Sequence, residues 1–529
     1  MKSFGFLFLL LTLFSACEAT DKSNDTYLTD VSIPQEEKLK RYLQDSKRLN
    51  PKINLQEKTW LNQFYSSRDF NPVFISDKKN QPTNATYLEQ LTQRNLAFGV
   101  PNEILLSKDS TLHPIEQEVV QMVNVLRTIN AVKNGILLND TTLKTTFDLP
   151  QNDQVMFLLS KKSPSEKDLF LMQLGPVSDT NYQQFATGLY EFVSAYRMDT
   201  AALIQQKTET EMDFAKRSLS AKGYLNGQSI TEQALIAAIH EFKQHNGLGN
   251  SADIDAYTLE ALAESNTHRC TRAAICLDKI RRAQWPKSDY VKVNIPEYRL
   301  YYHANDSLKA IHNIVVGKRS NETPELVSSI RNIVLYPYWK VPSSIIKKEI
   351  MPEAKKNLAY LKRHHYKLCK YDDTTAIDFG KVNLKKSSGY SVIQYPGSWN
   401  SLGVIKFEFN NQYSVYLHDT PQKGFFSHPV RSYSHGCMRC QNPVDLAKKV
   451  LEYDQKDMKK KKITADSIDS WLTTVHNRNI PLYHPIPVHV IYQSVIVFQK
   501  ALVFCNDIYG REQKIMNVLT KYQQQKLTV

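Results

Sequence analysis

No internal stretch of this sequence stays apolar for the ~20 residues that a membrane-crossing helix needs. The longest such run, Phe4 to Phe14, is roughly half that length, so no segment is read as a membrane span. Nucleic-acid signatures are missing as well: neither zinc-finger spacing nor an RNP-like aromatic stretch accompanies the 67 Lys and Arg residues. The net charge of +14 therefore says only that an acidic partner suits the chain, and the densest run, Lys459 to Lys462, reads as a solvated face. Cysteine is sparse, with seven in 529 residues, and no second Cys or His pair completes a zinc site around Cys437 and Cys440. No metal and no cofactor are expected. A hydrophobic share of 42% with 23% charged residues carries no disordered or collagen-like bias, and the length predicts two to four domains.

What is present begins with Lys2, the Phe4 to Phe14 run and the small residues Ser15-Ala16-Cys17, which together read as an export signal over residues 1–17. Leu13-Phe14-Ser15-Ala16-Cys17 resembles a bacterial lipoprotein box, with Phe14 departing from the usual leucine. Lipidation of Cys17 and simple cleavage nearby stay open, and the lipid would be the protein's only tie to a membrane. Either outcome predicts the cell envelope, the periplasm in particular. An exported chain meets an oxidising compartment, which makes Cys270 and Cys276 candidates for a local disulfide and leaves an odd thiol free for other work.

Residues 18–35 read as a tether. Helical spacing of apolar residues, as in Val119 to Ile129 and Phe185 to Tyr196, predicts a helical scaffold over 36–210. A compact module follows over 211–266. Ser229-Ile230-Thr231-Glu232 is a capping-box signature, Leu235, Ile239 and Phe242 recur at helical spacing, Gly247 is a stop, and Asp255 caps a third helix. Lys222-Gly223-Tyr224-Leu225, Ala237 to Lys243, Asn246-Gly247-Leu248 and Ile254 to Leu259 resemble the peptidoglycan-binding-like three-helix domain. From Tyr290 the period becomes alternating, in short runs rich in β-branched and aromatic residues. A mainly antiparallel β-sandwich, or a barrel-like core, is expected over 286–505, interrupted over 345–400 by a lysine-rich, partly helical capping insertion, with a C-terminal segment at 506–529. The whole is a multidomain α+β chain. Adjacent His364 and His365 point too far apart on a helix to share a metal.

Chemistry concentrates between Tyr416 and Pro443, which hold His418, His428, His435, Cys437 and Cys440. A thiol becomes a strong nucleophile as its anion, and a nearby imidazole can take its proton. His418 ends a predicted strand and Cys437 follows a long turn, so two neighbouring elements can bring them together. His435 is too close in sequence to act as the base and is expected to shape the loop. Gly436 lets the main chain approach a substrate and suits an oxyanion hole of local amides. Asn442-Pro443 opens a helix with Asn as its cap. Cys437-Met438-Arg439-Cys440 is formally a C-x-x-C, but a redox site expects a parallel-sheet fold.

Ser434-His435-Gly436-Cys437-Met438-Arg439, preceded by Leu417-His418-Asp419-Thr420-Pro421, resembles the active-site signature of the L,D-transpeptidases, in the large subfamily with a scaffold region and a peptidoglycan-binding-like module. Val316-Gly317-Lys318, Tyr336 to Pro342, Asn400 to Gly403 and Asp507 to Gly510 look like it too. The resemblance implies a cysteine acyltransferase that attacks tetrapeptide stems of peptidoglycan and forms 3→3 cross-links on a second stem. Cys437 would be its nucleophile, His418 its proton acceptor and donor, His435 and Gly436 the oxyanion-hole loop, and Arg439 a loop or substrate contact. It also implies acylation by carbapenems. Hydrolysis, exchange with a free D-amino acid, or a non-catalytic glycan-binding envelope protein are the alternatives. Cys440 departs from the expected apolar residue, which raises oxidation against Cys437.

Overall fold

The computed structural model describes residues 26–75, 94–107, 109, 111–139, 142–144, 149–161, 163–226, 230–249, 251–305, 307–370, 376–377, 390–456 and 463–525. The leader with Cys17, Ser229, the Lys459 to Lys462 run and part of the insertion lie outside the described residues. Among those described, no helix is long and apolar enough to cross a membrane.

The N-terminal region packs around one helix, Pro114–Asn134, whose residues are buried on nearly every side. A helix apolar all round must be surrounded, and Gln35–Gln44, Leu55–Ser66 and short 3-10 turns surround it. Its start is a capping box at His113 and Glu116, with Pro114 at the position where no amide partner is needed. A hairpin of β1 (Leu137–Asn139) and β2 (Thr142–Leu143) follows. Ile515, Met516 and Leu519 of the last helix, Arg511–Gln525, join the same core, so the C-terminal segment ties back onto the helical region.

Three helices, Glu211–Lys222, Glu232–Gln244 and Ala256–Ala263, enclose Phe214, Leu235, Ile239, Phe242 and Leu262. The second helix is capped by Thr231, whose hydroxyl accepts from the Ala234 amide at 3.2 Å, rather than by Ser229. It ends at Gln244, and Gly247 (φ 62°) closes the turn while Leu248 N–H donates to Lys243 O at 2.9 Å. Asp255 caps the third as expected from its position, accepting from Thr258 N–H at 2.8 Å. The helix Asn266–Arg282 then runs as a buried spine between these units. It carries both Cys270 and Cys276, which are free thiols. Six residues on one helix lie about 9 Å apart along its axis, beyond the reach of a disulfide, so that expectation is corrected.

The C-terminal half contains β3 (Tyr290–Asn294), β4 (Arg299–Ala304), β5 (Ser307–Gly317), β6 (Leu326–Leu335), β11 (Ile405–Phe409), β12 (Leu417–His418), β13 (Ser432–Ser434), β14 (Met438–Cys440) and β15 (Arg478–Ile491), all hydrogen-bonded in one sheet. Their order is β13-β5-β14-β12-β11-β6-β15-β3-β4, and β4 pairs again with β5. The sheet therefore closes on itself, which is the barrel-like alternative and not the β-sandwich. The long β5 causes the closure, because Ser307 to Asn313 pair with β4 while Ile314 and Val315 pair with β14 on its other edge. Most pairings are antiparallel, but β12–β14, β13–β5 and β15–β3 are parallel. Alternation sends Val291, Val293, Ile314, Phe407, Leu417 and Met438 inward. The helix Pro443–Asp454 packs onto that core through Leu446, Ala447, Val450 and Leu451. It starts at Pro443, but Asn442 sits at φ 51° and makes no side-chain cap.

The insertion is more than helical. Strands β7 (Trp339–Lys340), β8 (Tyr366–Lys370), β9 (Ala376–Ile377) and β10 (Tyr390–Gln394) form a separate four-stranded sheet. The chain from Ser343 to Lys356 is helical with a wide π-turn at Ile346–Ile350. Pro352 lies just beyond it; a proline without an amide cannot continue the ordinary ladder, and the turn widens there. A last hairpin, β16 (Val495–Phe498) and β17 (Ala501–Phe504), packs against the spine helix.

Candidate active site

Parallel pairing of β12 with β14 sets Leu417 beside Met438 and His418 beside Arg439, and Met438 N–H donates to Tyr416 O at 3.0 Å. Leu417 and Met438 point into the core. By alternation Tyr416, His418, Cys437 and Arg439 share the opposite face. Cys437 lies alongside Tyr416 and diagonal to His418. With strands ~4.8 Å apart and same-face residues ~6.6 Å apart along a strand, the two Cα atoms are about 8 Å apart, a gap that an imidazole and a thiol can bridge. Lys406 of β11 stands opposite His418 on its other side.

The phenol and backbone amide of Tyr416 are the nearest polar groups that stabilise the anionic form of the sulfur. Burial pushes the Cys437 thiol up from its ordinary value, while Tyr416, Lys406 and Arg439 pull in the other direction. The imidazole of His418 instead uses Nδ1 against Asp419 O at 2.5 Å. Burial pushes the His418 imidazole down to about 3, reinforced by the charges of Arg439 and Lys406. Burial thus favours the neutral forms of both thiol and imidazole. The half-buried sulfur is reachable, and Tyr416 packs against the core of the insertion, which covers this face.

The loop between β13 and β14 is held from several directions. Gly436 sits at φ 111°, a region that favours glycine. Its carbonyl accepts from Thr323 Oγ1 at 2.8 Å, and Thr323 Oγ1 in turn accepts from Gly317 N–H at 2.9 Å. Tyr509 donates to Gly317 O at 2.6 Å. Ser434 Oγ donates to Cys437 O at 2.5 Å and accepts from Gly436 N–H at 3.1 Å. The Gly436 amide, expected as an oxyanion donor, is therefore already engaged, and serving that purpose would require Ser434 to release it. His435 points away to Glu349 Oε1 of the π-turn, at 2.5 Å. Arg439 donates to Gln422 Oε1 at 2.7 Å and stacks over Phe425. Cys440 is buried in the closed core, and its thiol donates to Gln441 O at 3.3 Å. Three residues from Cys437 along extended chain, it faces the other way, an arrangement that disfavours pairing of the two sulfurs.

Among the described residues no group of three His, Cys, Asp or Glu is arranged to hold a metal. His364 packs on Tyr360 and His365 stacks on Trp399, so the two adjacent rings serve separate neighbours. Sequence reading overlooked Tyr416, although its position two residues before His418 places it on the same face. It also overlooked Thr323, Ser434, Lys406 and Glu349, whose roles arise from contacts across the fold.

Residues 288–463 match the model of the L,D-transpeptidase catalytic domain family. The chain carries an L,D-transpeptidase catalytic domain. A Haemophilus influenzae protein named "Putative L,D-transpeptidase" is 29% identical over 227 residues, covering 42% of this chain and 44% of that protein. The chain thus aligns with less than half the length of that relative. Two solved structures are similar at 12% identity: an L,D-transpeptidase from Stackebrandtia nassauensis, TM-score 0.19, covering 56% of this chain and 96% of the other, and the Ldtfm–avibactam carbamoyl enzyme, TM-score 0.17, covering 39% and 49%. The matched L,D-transpeptidase segment ends before β15, yet β15 pairs with both β3 and β6 and is needed to close the sheet.

Proposed function

We propose that this chain is an exported, envelope-bound enzyme that forms 3→3 cross-links in peptidoglycan through a thioester on Cys437. The observation that supports the reading is the shared face of β12 and β14, where the half-buried thiol lies beside the Tyr416 phenol and on the same face as the His418 imidazole of the adjacent strand.

In the first step the Cys437 sulfur attacks the carbonyl joining the third and fourth residues of a tetrapeptide stem. Its proton passes to His418 as the carbon–sulfur bond forms. His418 then gives that proton to the departing amine, and the terminal D-amino acid leaves. In the second step an amine of a neighbouring stem attacks the thioester, its proton returns through His418, and the thiol is restored. A neutral imidazole is the form that can accept a proton, which the burial of His418 secures. Tyr416 stabilises the sulfur as charge builds on it. Cys437 N–H and a released Gly436 N–H are the candidates for the oxyanion site, with His435 and Arg439 holding the loop between them.

The same acyl-enzyme yields a tripeptide if water resolves it, or an exchanged stem if a free D-amino acid does. Mass spectrometry of disaccharide-tetrapeptide incubated with wild type and with Cys437→Ala distinguishes these outcomes. Cross-linked dimers dependent on Cys437 are expected. Equal turnover by Cys437→Ala, or a carbapenem adduct of unchanged mass on that variant, overturns the nucleophile assignment.

A further inference from the structure

A chain of hydrogen bonds runs from the C-terminal segment to the loop that carries Cys437. It starts at Asp507, whose Oδ1 accepts from Arg511 N–H at 2.8 Å and whose Oδ2 accepts from Gln513 N–H at 2.9 Å, fixing the first turn of the last helix. Tyr492 Oη donates to Asp507 Oδ1 at 2.6 Å and accepts from Tyr509 N–H at 2.9 Å. Tyr509 Oη donates to Gly317 O at 2.6 Å and accepts from Thr323 N–H at 3.1 Å. Thr323 Oγ1 accepts from Gly317 N–H at 2.9 Å and donates to Gly436 O at 2.8 Å. Thr323, Tyr492 and Tyr509 are all buried. Tyr492, Asp507 and Tyr509 lie beyond residue 463, where the match to the catalytic domain family ends.

The direction of every link is set by chemistry. A hydroxyl has one proton to give. Each of these three gives it to a carboxylate or carbonyl oxygen, which can only accept, and receives from a backbone amide, which can only donate. Turning any of them would leave a buried amide or carbonyl unpaired, at considerable cost. Arg511 braces the same turn by donating to Glu325 Oε1 at 2.6 Å, Glu322 Oε2 at 3.0 Å and Thr323 O at 3.2 Å.

The chain of bonds ends where the backbone is least restrained by its own residue. Gly436 has no Cβ to limit its rotation, so the peptide joining it to Cys437 has to be fixed from outside. That peptide is trans and planar, with its carbonyl oxygen and its N–H on opposite edges. Holding the oxygen against Thr323 therefore turns the Cys437 N–H to the other side. Unlike the Gly436 N–H, which donates to Ser434 Oγ at 3.1 Å, this amide is not engaged by another group among the described residues. A flip of the peptide would exchange its edges and present an oxygen where an anion has to be stabilised.

We infer that Thr323 and Tyr509 are positioning residues of the reaction, locking the Gly436–Cys437 peptide so that the Cys437 N–H faces the oxygen on which negative charge develops. The inference rests on the proposed acyl-enzyme reaction and extends its supporting structure to a C-terminal segment outside the matched domain. Neither residue touches the reacting atoms.

The test compares two reactions of Cys437 in the full chain. Thioester formation from disaccharide-tetrapeptide passes through an oxyanion, whereas alkylation by iodoacetamide displaces iodide without one. Thr323→Val removes the hydroxyl and keeps the shape, Thr323→Ser restores the hydroxyl, and Tyr509→Phe removes the preceding link. Thermal melts establish folding, and either Thr323→Val or Tyr509→Phe suffices for the comparison. Acylation at saturating substrate, followed by quenched intact-mass measurement, is expected to fall about 10²-fold in Thr323→Val and about tenfold in Tyr509→Phe, at or below the low end for loss of an oxyanion donor. The half-saturating concentration should stay within about twofold of wild type, as for an interaction made only in the transition state. Thr323→Ser should acylate nearly as fast as wild type, and alkylation of Cys437 should be unchanged in all three. The inference is overturned if folded Thr323→Val acylates at the wild-type rate, or if Thr323→Ser is as slow as Thr323→Val. It is also overturned if alkylation falls by the same factor as acylation, because the loop has then lost its shape as a whole. Wild-type acylation by Tyr509→Phe overturns the part assigned to the C-terminal segment. Failure of the proposed reaction reads differently, since wild type itself is then alkylated at Cys437 yet gives no thioester, and both readings fall.

Discussion

Buried ionisable groups are handled in opposite ways at the spine helix and at the face around Cys437. Just before the spine, Glu264 receives its Arg272 twice at 2.8 Å and His268 at 2.5 Å, with Arg269 at 3.6 Å. Burial would raise its carboxyl, but Arg272, His268 and Arg269 outweigh it and hold the group well below the usual carboxylate range. At the site, His418 is just as enclosed but faces Lys406 and Arg439 with no carboxylate on its ring. Its charge is suppressed rather than paired. The first arrangement holds helices together; the second leaves a proton acceptor and a thiol with room to change state.

The largest expected effect comes from removing the uncompensated group. His418→Gln should lower the rate of acyl-enzyme formation by about 10² to 10⁴, the usual contribution of a positioned proton carrier, followed by stopped-flow or quenched mass spectrometry. The same variant sharpens the contrast through stability. His418 has a folded value near 3 against an ordinary 6.5, so the unfolded chain binds the extra proton first. Wild type therefore loses stability as pH falls from 6.5 toward 3, and the loss from this group is absent above that window. Glu264, with its depressed value, adds to the loss only below about its ordinary 4.5. Urea unfolding at pH 7.5 and 5 should show a smaller difference in His418→Gln than in wild type; an identical difference would contradict the suppressed charge.

Next in size is the paired region. Glu264→Gln strips Arg269, Arg272 and His268 of their common partner and should cost about 3 kcal/mol of unfolding free energy, toward the low end for a buried pair because the carboxylate is one-fifth exposed. Acylation per folded molecule should be unchanged. A smaller effect follows at Tyr416→Phe, which removes one donor to the sulfur, worth about 1 to 1.5 kcal/mol, or roughly tenfold in acylation. The thiol should then ionise at higher pH, moving the alkaline rise of the rate upward; an unmoved pH profile would show that the phenol does not stabilise the sulfur.

The paired and the suppressed groups also differ in how legible they were. Helical spacing located Leu235, Ile239 and Phe242, and alternation from Tyr290 announced the strands, because burial repeats with the period of each element. The motif around His418 and Cys437 was readable because both lie within twenty residues. The choice between a sandwich and a closed, barrel-like sheet was not, since closure depends on β5 using its two edges at different points along its length. Neither was the engagement of the Gly436 amide, which a serine two residues away provides through loop geometry. Capping by Thr231 rather than Ser229 was a shift of two positions between residues of the same chemical type.

The smallest effect concerns a contact that joins the insertion to the catalytic loop. Glu349 lies in the π-turn, a widened turn found often at functional positions. It reaches His435 at 2.5 Å, but the glutamate is 47% exposed and the histidine 32% exposed, so solvent weakens the pair. Glu349→Gln keeps the shape and a hydrogen-bonding oxygen while removing the charge. If the contact serves to hold the insertion over bound stem peptide, KM should rise two- to fourfold with kcat nearly constant, and added salt should erase the difference from wild type. A fall in kcat at constant KM would instead place Glu349 with the reacting groups, making this exposed pair resemble the suppressed charges of the site more than a surface latch.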